Sequence, residues 1–323
     1  MEPPTLHDIY DARPLVYRHL RPTPLLSHPL LATEIGTAVF VKHENHNPTG
    51  AFKIRGGLNL VATLGASERT AGVVTASTGN HGQSLAMACG LQQVPCTIYV
   101  PMANNPEKNA AIRGYGATVI EHGHDFDEAR ARCEQDAREH GYRYVHPANE
   151  PLLLAGVGTY ALEIFEELPR VDVVFVPIGG GSGASGLVTV RSAIGNSTRI
   201  IGVQAARADA FTRSWRSGTR IVGEYADTFA EGVATRVTFD LTYDLLKREL
   251  DDIVTLTEDE LAEGVRLALR ATHNLAEGAG AASLMAAWKL RDELAGKTVV
   301  CVMSGGNLDT TVLRRILGGA GQS

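Results

Sequence analysis

Four stretches of this chain set chemically able side chains beside glycine-bearing turns. In Asn47-Pro48-Thr49-Gly50-Ala51-Phe52-Lys53-Ile54-Arg55-Gly56-Gly57, Pro48 and Gly50 mark a sharp turn after the apolar run Ala38-Val39-Phe40-Val41. Lys53 therefore falls near the carboxyl end of a strand, where open α/β sheets place ligands. Alone, the segment reads as a surface turn with an ordinary lysine; the other three stretches change that reading. Ser77-Thr78-Gly79-Asn80-His81-Gly82-Gln83 follows the run Val73-Val74-Thr75 and opens a helical pattern through Ala86 and Ala88. Its glycines let a ligand approach the backbone, and the free amides of a helix's first turn favour an anion such as a carboxylate. A plain strand-to-helix turn capped by Ser77 or Thr78 is the competing reading. Pro177-Ile178-Gly179-Gly180-Gly181-Ser182-Gly183-Ala184-Ser185-Gly186 follows the run Val171 to Val176. A tight turn needs one or two glycines, whereas the successive bare amides of Gly179, Gly180, Gly181, Ser182 and Gly183 suit the oxygens of a phosphate. The spacing fits neither the Walker pattern nor a dinucleotide fingerprint. Ser304-Gly305-Gly306-Asn307 ends the apolar run from Thr298 to Met303. Its neutral hydroxyl can exchange one hydrogen bond with a heteroaromatic nitrogen, or the segment is a simple turn.

The elements that must position these stretches are short β-rich runs with helical patterns between them. The runs are Val73-Val74-Thr75, Thr97 to Val100, Thr118-Val119-Ile120, Val171 to Val176, Ile200 to Val203 and Val299 to Met303. Continuous rather than alternating apolarity means strands covered on both faces, so the sheets are expected to be largely parallel with helices on either side, an α/β architecture. Phe126 to His140 reads as a helix, and Thr257 with Glu260 fits a capping box at the start of another. There is no repeat, low-complexity tract or linker, so two sheets would share the chain by insertion. The expected division is 1–71 with 145–323 as a large cofactor-binding domain and 72–144 as an inserted, mobile small domain.

Composition narrows the function further. A chain of 323 residues with 44% hydrophobic and 20% charged content buries a full core. A net charge of −6 leaves no cationic excess for a nucleic acid, and no long apolar run or leader pattern points to a membrane. A cytoplasmic protein acting on a small molecule is expected. Cys89, Cys96, Cys133 and Cys301 form no CxxC pair and lie in apolar or helical stretches, which argues against a disulfide framework or a cysteine zinc site. His122 and His124 have no third ligand at a metal-binding spacing and read as surface residues.

In their order, the lysine turn, the Asn80 loop, the polyglycine cup and Ser304-Gly305-Gly306-Asn307 resemble the pyridoxal-phosphate enzymes of fold type II, the tryptophan synthase β-like fold, over almost the whole chain. Pro48-Thr49-Gly50-Ala51-Phe52-Lys53-Ile54-Arg55-Gly56, Asn80-His81-Gly82, His146-Pro147, Glu150-Pro151 and Ala155-Gly156-Val157-Gly158-Thr159 with Glu163 are similar to the threonine/serine dehydratase and serine racemase branch. Val157 stands where that branch often has glutamine. The resemblance implies that Lys53 holds the cofactor as a Schiff base and then abstracts the substrate's α-proton. It further implies that Asn80 bonds the ring hydroxyl, that Gly179, Gly180, Gly181, Ser182 and Gly183 bind the phosphate, and that Phe52 and Gly232 bracket the ring. Ser304 would meet the ring nitrogen, Ser77, Thr78, Asn80 and His81 would grip the substrate carboxylate, and Glu277 would lie near the ring. Ser77 and Thr78 are counted with Lys53 among the catalytic residues, and a homodimer is expected.

A serine at the ring nitrogen implies a weak electron sink, which favours expulsion of a β-hydroxyl over a long-lived carbanion. The implied reaction is dehydration and deamination of a 3-hydroxy amino acid such as L-threonine or L-serine to a 2-oxo acid and ammonia. Alternatives are another 3-hydroxy substrate, such as 3-hydroxyaspartate or a hydroxyectoine breakdown product, and amino-acid racemisation. Racemases of this branch carry serine where Thr78 stands, and hold a divalent cation with carboxylates at the positions of Gln204 and Ala210. Neither carboxylate is present, so no metal is expected. The chain ends soon after Ser304, so no C-terminal regulatory domain and no feedback inhibition are expected.

Overall fold

The computed structural model describes residues 1–319, which form two sheets with helices on their faces. The strands are β1 (Leu25–Ser27), β2 (Ala38–His43), β3 (Val73–Ala76), β4 (Cys96–Val100), β5 (Thr118–Glu121), β6 (Arg143–Tyr144), β7 (Val173–Pro177), β8 (Arg199–Ala205), β9 (Asp252–Leu256) and β10 (Thr298–Met303). The larger sheet has the order β1-β2-β10-β7-β8-β9 and the smaller β5-β4-β3-β6. Every pairing is parallel except that of β1 with β2.

The continuous apolar runs follow from burial on both faces. Val173 and Phe175 of β7, with Val299, Cys301 and Met303 of β10, join a core with Leu261, Val265 and the alanine-rich helix Gly278–Lys289. Val174, Val176, Val300 and Val302 point the other way, into a core with the helices Pro151–Glu167 and Ser182–Ala193. Alternate residues of one strand thus serve two cores, as the two-residue strand period requires. The strands β1, β6 and β9 were not expected. β1 and β6 have three and two residues, β6 and β9 are edge strands, and none carries a fully buried run.

The four strands of the smaller sheet all come from residues 72–144. The core beneath that sheet also takes in Val16, Leu20, Ile54, Leu58, Leu60 and Val61, packed with Val73, Leu85, Ile98 and Val100. The helix Lys53–Ala62 therefore lies between the two sheets. Helix Phe126–His140 begins at Asp125, which caps it, and Thr257 with Glu260 forms the expected box before Glu258–Thr272. Among the described residues no helix is long and apolar enough to cross a membrane.

Candidate active site

The lysine turn is stitched to the end of β10. After β2, Gly50 N donates to Asn47 O at 2.7 Å, and Gly50 takes a positive φ of 68° that favours glycine. Phe52 N then donates to Ser304 O at 3.0 Å, and Gly306 N to Gly50 O at 2.8 Å. Helix Lys53–Ala62 starts at once, and Ser84 Oγ donates to Lys53 O at 2.6 Å. The Lys53 amine leaves this frame toward the glycine loop, donating to Ser182 Oγ at 2.8 Å, and lies 5.0 Å from the centre of the Phe52 ring. Burial pulls its pKa down from 10.5 to about 8, because the charged form loses water without gaining a carboxylate partner.

The glycine loop leaves β7 and ends at the first turn of helix Ser182–Ala193. A Cβ on Gly179 would lie 2.1 Å from Gly232 O, so only glycine lets the loop touch the Glu231–Val233 turn. Gly181 has φ of +88°, and Thr242 Oγ1 donates to Gly180 O at 2.7 Å, which fixes the loop from behind. Among the described residues the amides from Gly179 to Gly183 donate to no other protein group, so they face the cavity as a free cluster of donors.

The loop after β3 closes the opposite wall. Ser77 Oγ accepts from Gly82 N at 2.9 Å and from Gly79 N at 3.3 Å, so this hydroxyl holds the loop itself. The His81 ring turns inward to Thr75 Oγ1 at 3.2 Å, and burial pushes its pKa down to about 3, leaving it neutral. Thr78, Asn80 and His81 offer the cavity unpaired backbone amides around the start of helix Asn80–Gln92, and the Thr78 hydroxyl lines the same space. Asn80 Nδ2 donates to Glu277 Oε1 at 2.8 Å, and Asn307 Nδ2 to Asn80 Oδ1 at 2.7 Å. Burial raises the Glu277 carboxyl to about 7 despite that bond. Phe52, Lys53, Ser77, Thr78, Asn80, His81, Gly179, Gly180, Gly181, Ser182, Gly183, Gly232, Glu277 and Ser304 all line one cavity.

A family model for pyridoxal-phosphate dependent enzymes matches residues 16–305. The chain belongs to that family. It is 38% identical over 313 residues to an L-threonine ammonia-lyase of Thermotoga maritima, covering 97% of this chain and 78% of the relative. To an L-threo-3-hydroxyaspartate ammonia-lyase of Saccharomyces cerevisiae it is 32% identical, over 95% of this chain and 94% of that one. The solved structure of maize serine racemase superposes with a TM-score of 0.92 at 27% identity, covering 98% of both chains. This is a fold type II pyridoxal-phosphate enzyme of the threonine/serine dehydratase and serine racemase group.

The cavity fits the cofactor by its own geometry. A cluster of free amides and a buried amine with a lowered pKa face one cavity, and these are the donors and nucleophile that a phosphorylated aldehyde requires. The Ser304 hydroxyl lines the same space and has no protein partner among the described residues.

Three further polar residues were not foreseen. Lys108 and Glu231 line the cavity, with Lys108 Nζ donating to Glu231 Oε2 at 2.7 Å and lying 3.2 Å from Asp309 Oδ1. They come from three separate segments and have the look of surface charges in sequence, so no local signal marks them. Gln204 is wholly spent inside the protein: its Oε1 accepts from Thr212 N and Oγ1 at 2.9 and 2.8 Å, and its Nε2 donates to Ile178 O. Among the described residues one converging trio of ligating side chains exists, Asp136, Glu139 and His140 on an outer helix, and there Asp136 is already bonded by Tyr99 and Arg132.

Proposed function

We propose that this enzyme removes ammonia from a small 3-hydroxy amino acid, L-threonine or L-serine, by eliminating the β-hydroxyl. Lys53 holds the cofactor, the amides from Gly179 to Gly183 take its phosphate, Phe52 and Gly232 flank its ring, and Ser304 and Asn80 meet the ring nitrogen and hydroxyl. Bound pyridoxal phosphate draws electron density away from the substrate's α-carbon. The substrate carboxylate sits on the amides of Thr78, Asn80 and His81 at the helix N-terminus. Once released, the Lys53 amine takes the α-proton, and the β-hydroxyl leaves as water with the proton that the protonated Lys53 amine gives back. The resulting enamine takes up water and gives a 2-oxo acid and ammonia.

The observation that carries this reading is the Lys53 amine, which has a pKa near 8 and is held by a single hydroxyl beside the free glycine-loop amides. Elimination needs that one base, whereas inversion needs a base on one face of the α-carbon and a proton donor on the other. Ser77 Oγ accepts two amides and the neutral His81 ring is turned to Thr75, so the groups of the cavity that still carry a proton for a second face are the Ser77 and Thr78 hydroxyls, Glu277 and Lys108. The similarity to a threonine ammonia-lyase supports the substrate class.

The proposal includes closure of residues 72–144 against residues 1–71 and 145–323 to exclude water during turnover. Its support is the smaller sheet within that segment and the ion pairs that cross the cleft, Lys108 with Glu231 and Arg236 with Asp127. It also includes a cytoplasmic homodimer, for which exposed Leu26 and Leu30 beside edge strand β1 offer apolar surface. The test of the site is borohydride reduction of the holoenzyme followed by peptide mapping. The label is expected on Lys53 and absent from Lys53→Ala. A label on Lys42 or Lys108 would overturn the assignment.

A further inference from the structure

Directly behind the lysine turn lies a group of four charged side chains that the proposed chemistry does not use. Arg55, two residues after Lys53 and on the same helix, is completely buried. Its Nε and Nη2 donate to the two oxygens of Glu44 at 2.7 and 2.9 Å, and its Nη1 and Nη2 to the two oxygens of Glu163 at 2.6 and 2.9 Å. Lys42 Nζ completes the group, donating to Glu163 Oε2 at 2.5 Å. All four side chains are at most 3% exposed. The remaining lone pairs are used as well: Thr23 Oγ1 and Asn47 Nδ2 donate to Glu44, and Tyr17 OH donates to Glu163.

Two features tie this group to Lys53 and not to the core alone. First, it grips the lysine turn at both ends: Glu44 holds Asn47, where the turn begins, and Arg55 lies in the first turn of the helix that Lys53 starts. Second, it sums to zero charge, with two cations against two carboxylates. Burying four ions costs several kcal/mol for each before pairing, so a core that only needed filling would be served as well by apolar residues. In a poorly screened interior a charge imbalance in this group acts on ionisable side chains held by the same turn, Lys53 among them.

We infer that Lys42, Glu44, Arg55 and Glu163 are positioning residues that hold the Lys53 turn and, by their charge balance, set the proton affinity of the Lys53 amine. The inference rests on Lys53 being the reactive amine. The other charged or titratable groups around Lys53 are His81 from helix Asn80–Gln92, Glu277 ahead of helix Gly278–Lys289, the Lys108–Glu231 pair at the cavity, and buried Tyr160 of helix Pro151–Glu167, which packs on the Phe52 ring and donates to Gly183 O. All but Tyr160 line the cavity in front of the amine, whereas the balanced group lies behind its turn. Burial by itself would raise Glu163, yet Arg55 and Lys42 hold it below the ordinary carboxylate range, so Glu163 stays ionised at neutral pH.

The test is a charge cycle at the Lys42–Glu163 pair, which leaves Arg55 and its helix in place. Lys42→Met leaves one net negative charge and raises the Lys53 pKa. Glu163→Gln leaves one net positive charge and lowers it. The double variant is neutral again and restores the wild-type value. Each single shift is expected to be roughly half a pH unit or more, the scale on which one uncompensated buried charge is felt at an effective dielectric constant of about 20. Two readouts are used: the pH profile of turnover by the holoenzyme, and the pH dependence of Lys53 acylation in the full chain stripped of cofactor, followed by peptide mass spectrometry. The second reads the amine without catalysis, so it separates failure of this inference from failure of the proposed reaction. Opposite single shifts that cancel in the double variant support the inference. Shifts of the same sign, no shift, or a shifted double variant overturn it. Where one single variant does not fold, the other decides: a Lys53 shift in the stated direction supports the inference, and no shift or a shift the other way overturns it.

Discussion

Two glycines of the phosphate loop are expected to respond in opposite ways to the same added methyl group. At Gly179 a Cβ would stand 2.1 Å from Gly232 O and 3.1 Å from Gly232 C, both backbone atoms that no rotamer change can clear. At Gly183 the nearest atoms are the Phe52 ring and Tyr160 Oη at 3.6 Å, an ordinary contact, and the residue lies inside helix Ser182–Ala193. Overpacking against backbone costs about 1–3 kcal/mol. If the loop yields, that strain appears as misplaced amides and a loss of roughly 10- to 100-fold in pyridoxal-phosphate affinity for Gly179→Ala. Gly183→Ala gains helix propensity of up to about 1 kcal/mol, so affinity is expected to stay within about threefold and stability to hold or rise. Both variants are assayed by titrating cofactor-free protein with pyridoxal phosphate and by thermal unfolding. Wild-type affinity in Gly179→Ala, or an equal loss in Gly183→Ala, would refute the reading of this loop as a cradle fixed by contact with Gly232.

Three other outcomes follow from the same geometry. The Lys53 amine takes a proton only when neutral, so turnover should rise as pH passes about 8 and level off above it; a half-point near the ordinary lysine value of 10.5 would contradict the burial argument. Lys108→Met removes the bridge to Glu231 and Asp309, a partly exposed pair contributing about 1 kcal/mol or less, and should raise KM about two- to fivefold with a smaller change in kcat. An unchanged KM would mean that the bridge plays no part in closing the cleft. With the Gln204 amide consumed by Thr212 and Ile178, exhaustive chelation should leave the rate unaltered, and a loss that magnesium restores would refute this.

The strands of both sheet centres were legible because burial on two faces leaves an uninterrupted apolar run, as in β7 and β10. The glycine turns were legible for a related reason. Positions such as Gly179 and Gly181 tolerate no Cβ or need a positive φ, and only one residue type meets that demand. Edge elements were not, since β6 pairs over two residues and carries no pattern. Nor could the sequence say which side chains of a recognised loop reach the cavity. Ser77 and His81 belong to the right segment, yet their polar atoms bond Gly82 and Thr75, a matter of rotamer and not of residue type. Arg55 and Glu163 lie in stretches that carry the family resemblance, yet nothing in the sequence joins them with Lys42 and Glu44, because each finds its partner on another element 11 to 121 positions away.

The central claim is elimination by a single base, and product analysis from one L-substrate tests it most directly. L-threonine and L-serine are incubated with the holoenzyme, and 2-oxo acid, ammonia and the D-enantiomer are measured over the same interval. 2-Oxo acid and ammonia are expected in equal amounts, with the D-enantiomer forming more slowly than either. Faster formation of the D-enantiomer would mean that another cavity group supplies a competent second face, and would refute elimination by a single base.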